Sequence, residues 1–446
     1  MTRLSPSAWC FLVLASSACG SVPRPPTTTF PQSAQRDPGA PYGGTLNVRR
    51  WGDASSPALL MIHGLGENAS SDFEGVAETL SQNFYVLALD LPGFGASDAA
   101  EHSFHPSDYA DDIARFMTRE FGGRPVFLLG HSMGGAIAAL IAGRHPQLVS
   151  RLALVDVAGV LHREAWAASQ FIDPLRAQGG TAMPVGMMET FLSIGRSVEP
   201  DPEMIIAGPR MRSVILGDDP GKIAALSLIV TDVGPALSNI QAPTLLLWGE
   251  NDRIAPLRTA HVLEGRLRTP LHLLEGVAHV PMSDAPERFV EAVSAHFGGS
   301  STASPDAFER RGDYTCDGED GVELEGEYGR VELRGCEGAQ IRNARIRELL
   351  VDESNVTMEN VEVDAGSGIG VVLVGGVLRA TGGSIRGSVA LSVSGARLDL
   401  AGVTISGTSQ AFLVDEPTRA LFSVCVVESG EGAPVHAHGN VVIASE

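Results

Sequence analysis

Gly130, His131, Ser132, Met133, Gly134 and Gly135 form the stretch on which the reading of this chain turns. Ahead of it lies the apolar run Val126 to Leu129, and behind it the small-residue run Ala136 to Ala142. An apolar strand, a glycine-flanked serine and a run of Ala, Ile and Leu predict a sharp strand-to-helix bend. Side chains at Gly130 and Gly134 would collide across such a bend, so glycine is needed there. The bend lifts the Ser132 hydroxyl out of the sheet, and the following helix N-terminus favours negative charge developing beside it. Gly-x-Ser-x-Gly alone is a weak pattern. The flanks, and partners further along the chain, give it weight.

A length of 446 residues exceeds one ordinary core and predicts two domains or more. With 44% hydrophobic and 19% charged residues, the composition is that of a globular chain rather than a disordered one. The net charge of −21 argues against nucleic acid as a partner, because its phosphates would be repelled.

Residues 1–18 read as a signal peptide: Arg3 supplies a positive start, and Ala8 to Ala15 is an apolar stretch too short to span a membrane. Leu14, Ala15, Ser16, Ser17 and Ala18 ahead of Cys19 resemble a bacterial lipoprotein signal, although Ser16 stands where Leu is more usual. That resemblance implies Cys19 as the lipid-bearing first residue of an exported protein, and Gly20 after it leans towards the outer membrane or cell surface. An ordinary secretory signal is the alternative. Residues 19–41, rich in Pro, Thr and Ser, read as an unfolded tether. Of the other cysteines, Cys10 leaves with the signal, Cys316 and Cys336 could pair in an oxidising compartment, and Cys425 reads as a buried thiol. No Cys/His cluster suggests a metal.

From Tyr42 the pattern alternates. Leu46 to Trp51, Leu59 to His63, Phe84 to Asp90, Val126 to Leu129, Leu152 to Val155, Thr244 to Trp248 and Leu271 to Leu274 are strand-like. Helical patterns fall at about Ser70 to Ser81, Ser107 to Phe121, Ser132 to Arg144, Thr259 to Arg268 and Ala285 to Phe297. Continuous apolar strands with helices between them predict an α/β fold, a doubly wound and mostly parallel sheet covered on both faces. In such sheets functional residues gather at the carboxyl ends of strands.

Four strand ends carry chemistry. His63, Gly64, Leu65 and Gly66 make a close backbone turn whose Leu65 N–H, with the Met133 N–H, could hold an oxyanion. Asp252 follows the strand ending at Trp248, and His279 follows the strand ending at Leu274. His279 would take the Ser132 proton, and Asp252 would fix its tautomer. His131 reads as a packing residue beside the bend and Asp156 as a reserve acid. Asp90 to Asp98 reads as a supporting loop with no catalytic part.

In this order and on these loops the residues resemble the α/β-hydrolase superfamily, specifically its lidded serine members, over roughly residues 42–298. The resemblance implies an acyl-enzyme mechanism on a small carboxylic ester or related acyl substrate, in the manner of carboxylesterases and lipases. It implies no cofactor and no metal. A carbon–carbon bond hydrolase of the same fold is the alternative within the enzymes. Residues 157–239, carrying Trp166, Phe171, Met183, Met187, Met188, Phe191, Met204 and Met211, would be the helical lid.

Residues 299–312 read as a linker, which predicts separable modules whose second could be deleted without loss of activity on small esters. Residues 313–446 then show no helical segment. Short Val-, Leu- and Ile-rich strands recur at about 20 to 22 residues, as in Ile346 to Val363 and Val389 to Ile405. This repeat resembles an all-β solenoid, a parallel β-helix of about six coils, with a β-sandwich as competitor. Cys316 and Cys336, one period apart, could stack on adjacent coils and form a disulfide. Such a domain reads as a spacer or a contact for envelope glycans, with His436 and His438 on its surface. A non-catalytic scaffold lipoprotein is the reading that competes with the enzyme.

Overall fold

The computed structural model describes residues 35–37, 44–99, 104–171, 202–299 and 309–444. The signal region, Cys19, Met183, Met187, Met188, Phe191 and linker residues 300–308 lie outside the described residues. One piece of the expected tether is not loose: Gln35–Asp37 forms a short strand, β1, antiparallel to β2 (Leu46–Trp51). It occupies the backbone groups that an edge strand otherwise leaves open.

The first sheet continues with β3 (Ala58–Ile62), β4 (Tyr85–Leu89), β5 (Val126–His131), β6 (Val149–Val155), β7 (Thr244–Gly249) and β8 (Leu271–Leu274). Their spatial order is β1-β2-β4-β3-β5-β6-β7-β8, and every pair from β4 onward is parallel. Burial explains the continuous apolar strands. Leu60 and Ile62 enter one core with the helices Pro106–Glu120, Met133–Arg144 and Leu257–Leu267, while Leu59 and Met61 enter another with Glu74–Leu80 and Pro286–Phe297. Alternate residues of one strand thus feed opposite layers, so neither face tolerates a polar side chain. The helix Met133–Arg144 is apolar on every side and fully wrapped, apart from its last residue.

The second domain is an all-strand solenoid of β9 (Arg310–Asp317), β10 (Glu323–Arg334), β11 (Ala339–Asp352), β12 (Asn355–Asp364), β13 (Ile369–Val374), β14 (Val377–Thr381), β15 (Ser384–Ser394), β16 (Arg397–Ala401), β17 (Thr404–Val414), β18 (Thr418–Ser429) and β19 (Val435–Ile443). Parallel pairing stacks like residues in columns. Cys316, Leu333, Val351, Leu373, Val393 and Val414 form one, six coils deep. Leu324, Ile341, Met358, Ala380, Leu400 and Phe422 form a second, and Tyr328, Ile346, Val363, Ile385, Ile405 and Val427 a third. Three columns make a three-sided coil with an apolar centre. The repeat is 20 residues from Ile385 to Ile405, within the expected spacing, but only 17 from Ile341 to Met358. The first coils turn more tightly than the composition suggested. Cys316 and Cys336 are bonded between adjacent coils, Cys425 is a buried free thiol, and β19 turns back antiparallel over β18.

The two domains share packing instead of hanging on a linker. Ala401, Leu421 and Val424 of the solenoid belong to the same core as Ala236, Val262 and Leu263. Arg258, on the helix Leu257–Leu267, reaches both Asp399 carboxylate oxygens at 2.9 Å and the Thr381 hydroxyl at 3.0 Å. Gly265 and Gly382 let the backbones touch: a Cβ at Gly265 would lie 3.2 Å from the Gly382 Cα. The lid helix Arg163–Phe171 is held as well. Asn440 of β19 donates to both Glu164 oxygens at 3.0 and 2.9 Å, and the His162 N–H donates to the Ser423 hydroxyl at 2.9 Å. The solenoid face presented to the hydrolase domain is apolar, and a charge pair crosses it, so the two domains are packed as well as linked. His438, expected at the surface, is wedged with its ring 5.4 Å from that of His162 and 3.8 Å from Asp232, and His436 is half-buried.

Candidate active site

Ser132 stands between β5 and its helix at φ 54°, ψ −120°, a conformation that L-residues adopt only under constraint. The constraint is visible. The Ser132 N–H donates to the Val155 carbonyl at 2.9 Å, and the backbone of Gly134 passes directly against the Ile62 and His63 carbonyls. A Cβ at Gly130 would strike the Gly134 carbonyl.

The turn His63–Gly66 lies against the serine: a Cβ at Gly64 would sit 2.7 Å from Ser132 Cβ and 3.2 Å from its Oγ. His63 fixes this turn, donating from Nδ1 to the Gly64 carbonyl at 2.7 Å and accepting the Leu91 N–H on Nε2 at 2.9 Å. Burial pulls its pKa down to about 4, so it is neutral. Met133 opens the helix and has no i−4 partner within it, so its N–H points from the helix end beside Ser132. Asp90 supports the neighbouring loop. It accepts from Ser70, Asn47 and Ala96; burial alone would raise its pKa, and these bonds outweigh it.

Three residues far apart in sequence meet here. His279 Nε2 lies 3.0 Å from Ser132 Oγ, and its Nδ1 lies 2.7 Å from Asp252 Oδ2. The carboxylate can only accept, so Nδ1 carries the proton and Nε2 is free to receive the serine hydrogen. Asp252 Oδ1 accepts the N–H groups of Ile254 and Ala255 at 2.7 and 3.0 Å, which locks the carboxylate plane. The two loops also hold each other, because Asn251 N–H donates to the Val277 carbonyl at 2.8 Å. His131 lies buried behind His279, donating from Nε2 to the His279 carbonyl at 2.7 Å, with its rings 4.9 Å apart. Burial, then the neighbouring His279 charge, push its pKa down to about 3.

Two supports had no local sequence signal. The indole N–H of Trp248 donates to the Ala255 carbonyl at 2.8 Å, and that of the lid residue Trp166 donates to the Ile254 carbonyl at 2.9 Å. Both grip the loop that carries Asp252. Asp156 sits at the end of β6, fully buried, its Oδ1 accepting the Gly249 N–H at 2.9 Å. It is adjacent to Asp252, and it does not touch His279 Nδ1 in place of it.

The strand order, the strained serine turn and the loops converging on it define an α/β-hydrolase fold. Residues 57–286 match the family described as alpha/beta hydrolase fold, and the chain belongs to that family. It is 31% identical over 264 residues to an uncharacterised protein of Mycobacterium tuberculosis, covering 54% of this chain and 74% of the relative. It is 30% identical over 261 residues to the 2-(acetamidomethylene)succinate hydrolase of Mesorhizobium japonicum, covering 56% of this chain and 90% of the relative. It is also 30% identical over 250 residues to the pimeloyl-[acyl-carrier protein] methyl ester esterase of Nitrosomonas europaea, covering 54% and 96%.

Proposed function

We propose that the protein is a serine hydrolase that cleaves a small carboxylic ester or related acyl compound through an acyl-enzyme. The observation that carries this reading is the chain of contacts from Asp252 through His279 to the Ser132 hydroxyl, at 2.7 and 3.0 Å. His279 Nε2 accepts the hydroxyl proton as Ser132 Oγ attacks the acyl carbon. The same proton then goes to the leaving alcohol, and a water activated by His279 releases the acid. In this reading the N–H groups of Leu65 and Met133 donate to the oxyanion formed in each half. Asp252 stays ionised and balances the imidazolium. The name of the Nitrosomonas relative supports an ester as the scissile group.

The test is labelling of the full chain with a fluorophosphonate and mapping of the adduct. A label on Ser132 that disappears in His279→Ala supports the reading; a folded protein that stays unlabelled favours a non-catalytic scaffold. In the same proposal Cys19 carries lipid and anchors an exported protein to a bacterial membrane, probed by incorporation of radiolabelled palmitate that Cys19→Ala abolishes.

A further inference from the structure

Asp156 is more deeply placed than a strand-end residue needs to be. It is completely shielded from solvent and held at φ 44°, with its N–H donating to the Leu247 carbonyl at 3.1 Å. One oxygen accepts the Gly249 N–H at 2.9 Å; the other, Oδ2, receives no hydrogen bond among the described residues. An ionised oxygen buried without a donor is costly, whereas a protonated one needs only an acceptor. The acceptor at hand is Asp252: one oxygen of each carboxyl group and a ring nitrogen of His279 all lie within 4.8 Å of one another.

A cation is a poor occupant of that cluster. His279 Nδ1 and Asp252 Oδ2 already bond to each other, and Asp252 Oδ1 is taken by two N–H groups. A proton satisfies Asp156 without disturbing any of these bonds. Burial, then the negative charges of Asp252 and Asp284, push the Asp156 pKa well above the usual carboxylate range.

We propose that Asp156 is a positioning residue that remains protonated beside ionised Asp252 and donates its Oδ2 hydrogen to that carboxylate, so the pair carries one negative charge. The proposal rests on the serine-hydrolase reading for its catalytic consequence but not for the protonation state. With one proton shared in this way, a single carboxylate balances the imidazolium that forms on His279. A second carboxylate at this range would bind the imidazolium proton more tightly and move the acid limb of the rate profile to higher pH. The other titratable groups around His279 are His131, which is neutral, and Asp72, whose pKa burial raises.

The experiment compares wild type, Asp156→Asn and Asp156→Ala in the full chain. Asparagine is neutral, keeps an acceptor for the Gly249 N–H and offers an N–H to Asp252. Infrared difference spectra at pH 7 should show a protonated-carboxyl C=O band in wild type that is absent from Asp156→Asn. The pH dependence of fluorophosphonate labelling at Ser132 should keep its acid limb in Asp156→Asn with a rate within about threefold of wild type, while Asp156→Ala should lose roughly tenfold or more. A missing carboxyl band, or an acid limb displaced to lower pH in Asp156→Asn, would overturn the proposal, since either means that wild-type Asp156 is ionised. If Ser132 proves unlabelled in wild type, the serine-hydrolase reading fails and the infrared band still decides the state of Asp156.

Discussion

The Arg258 guanidinium and the Asp399 carboxylate face each other with two parallel hydrogen bonds of 2.9 Å, one residue from each domain, both largely shielded from water. Burial would raise the Asp399 pKa, but Arg258 outweighs it and holds the group below its usual value. Without Arg258 the buried Asp399 keeps the longer Arg379 contact at 3.5 Å, so Arg258→Ala should cost about 1–3 kcal/mol of stability. Chemical denaturation followed by tryptophan fluorescence checks this. The shared core further predicts one cooperative transition for the two domains. Two well-separated transitions in wild type would contradict it.

Ser132→Ala and His279→Ala should each lower kcat on an accepted ester by about 10⁴-fold with little change in folding, because the two act as one unit. The double variant should be no worse than either single one. Additive losses would place the two residues in separate steps.

Gly134→Ala should be far more damaging than its size suggests. The new methyl group meets the backbone carbonyls of Ile62 and His63, neither of which can swing aside like a flexible side chain. Overpacking costs about 1–3 kcal/mol in an ordinary core, and this position should reach the upper part of that range or beyond. Thermal unfolding and Ser132 labelling should fall together.

Acid should destabilise the fold through histidines outside the proton-transfer pair. His63 and His131 have ordinary values near 6.5 in the unfolded chain, and burial lowers them to about 4 and about 3 in the fold. The unfolded chain therefore takes up protons first. Stability from these groups is complete above pH 6.5 and drains away as pH falls towards 4 and then 3, by about 1.4 kcal/mol per pH unit for each. Urea midpoints measured between pH 7 and 4 should drop, and the drop should shrink in a His131→Gln variant that still folds.

The sheet was readable because its signals are local. Leu59 to Ile62 and Thr244 to Trp248 are apolar runs bounded by turns, and the structure places strands within a residue or two of both. Ser132, Asp252 and His279 were readable because each directly follows such a run. The grip of Trp166 on Ile254 was not, since nothing near residue 166 encodes an acceptor 88 positions away. The docking of the solenoid was hidden for the same reason: Leu421 and Val424 read as coil residues of the repeat, and only the folded partner reveals that they face outward into another core. His438 was misplaced on composition, because a histidine near a polar chain end carries no mark of what will cover it.

Glu164 and Asn440 are 276 positions apart, so the brace under the lid helix is supplied from the second domain rather than from the hydrolase domain itself. Every strand of the hydrolase sheet lies well ahead of Asn440 in the chain. A variant cut ahead of Asn440 therefore carries all three residues Ser132, Asp252 and His279, yet lacks the amide that steadies the start of the lid. The lid helix thus depends on a residue of the other domain: a truncation ahead of Asn440 yields a species with Ser132, Asp252 and His279 present and its cover unsecured.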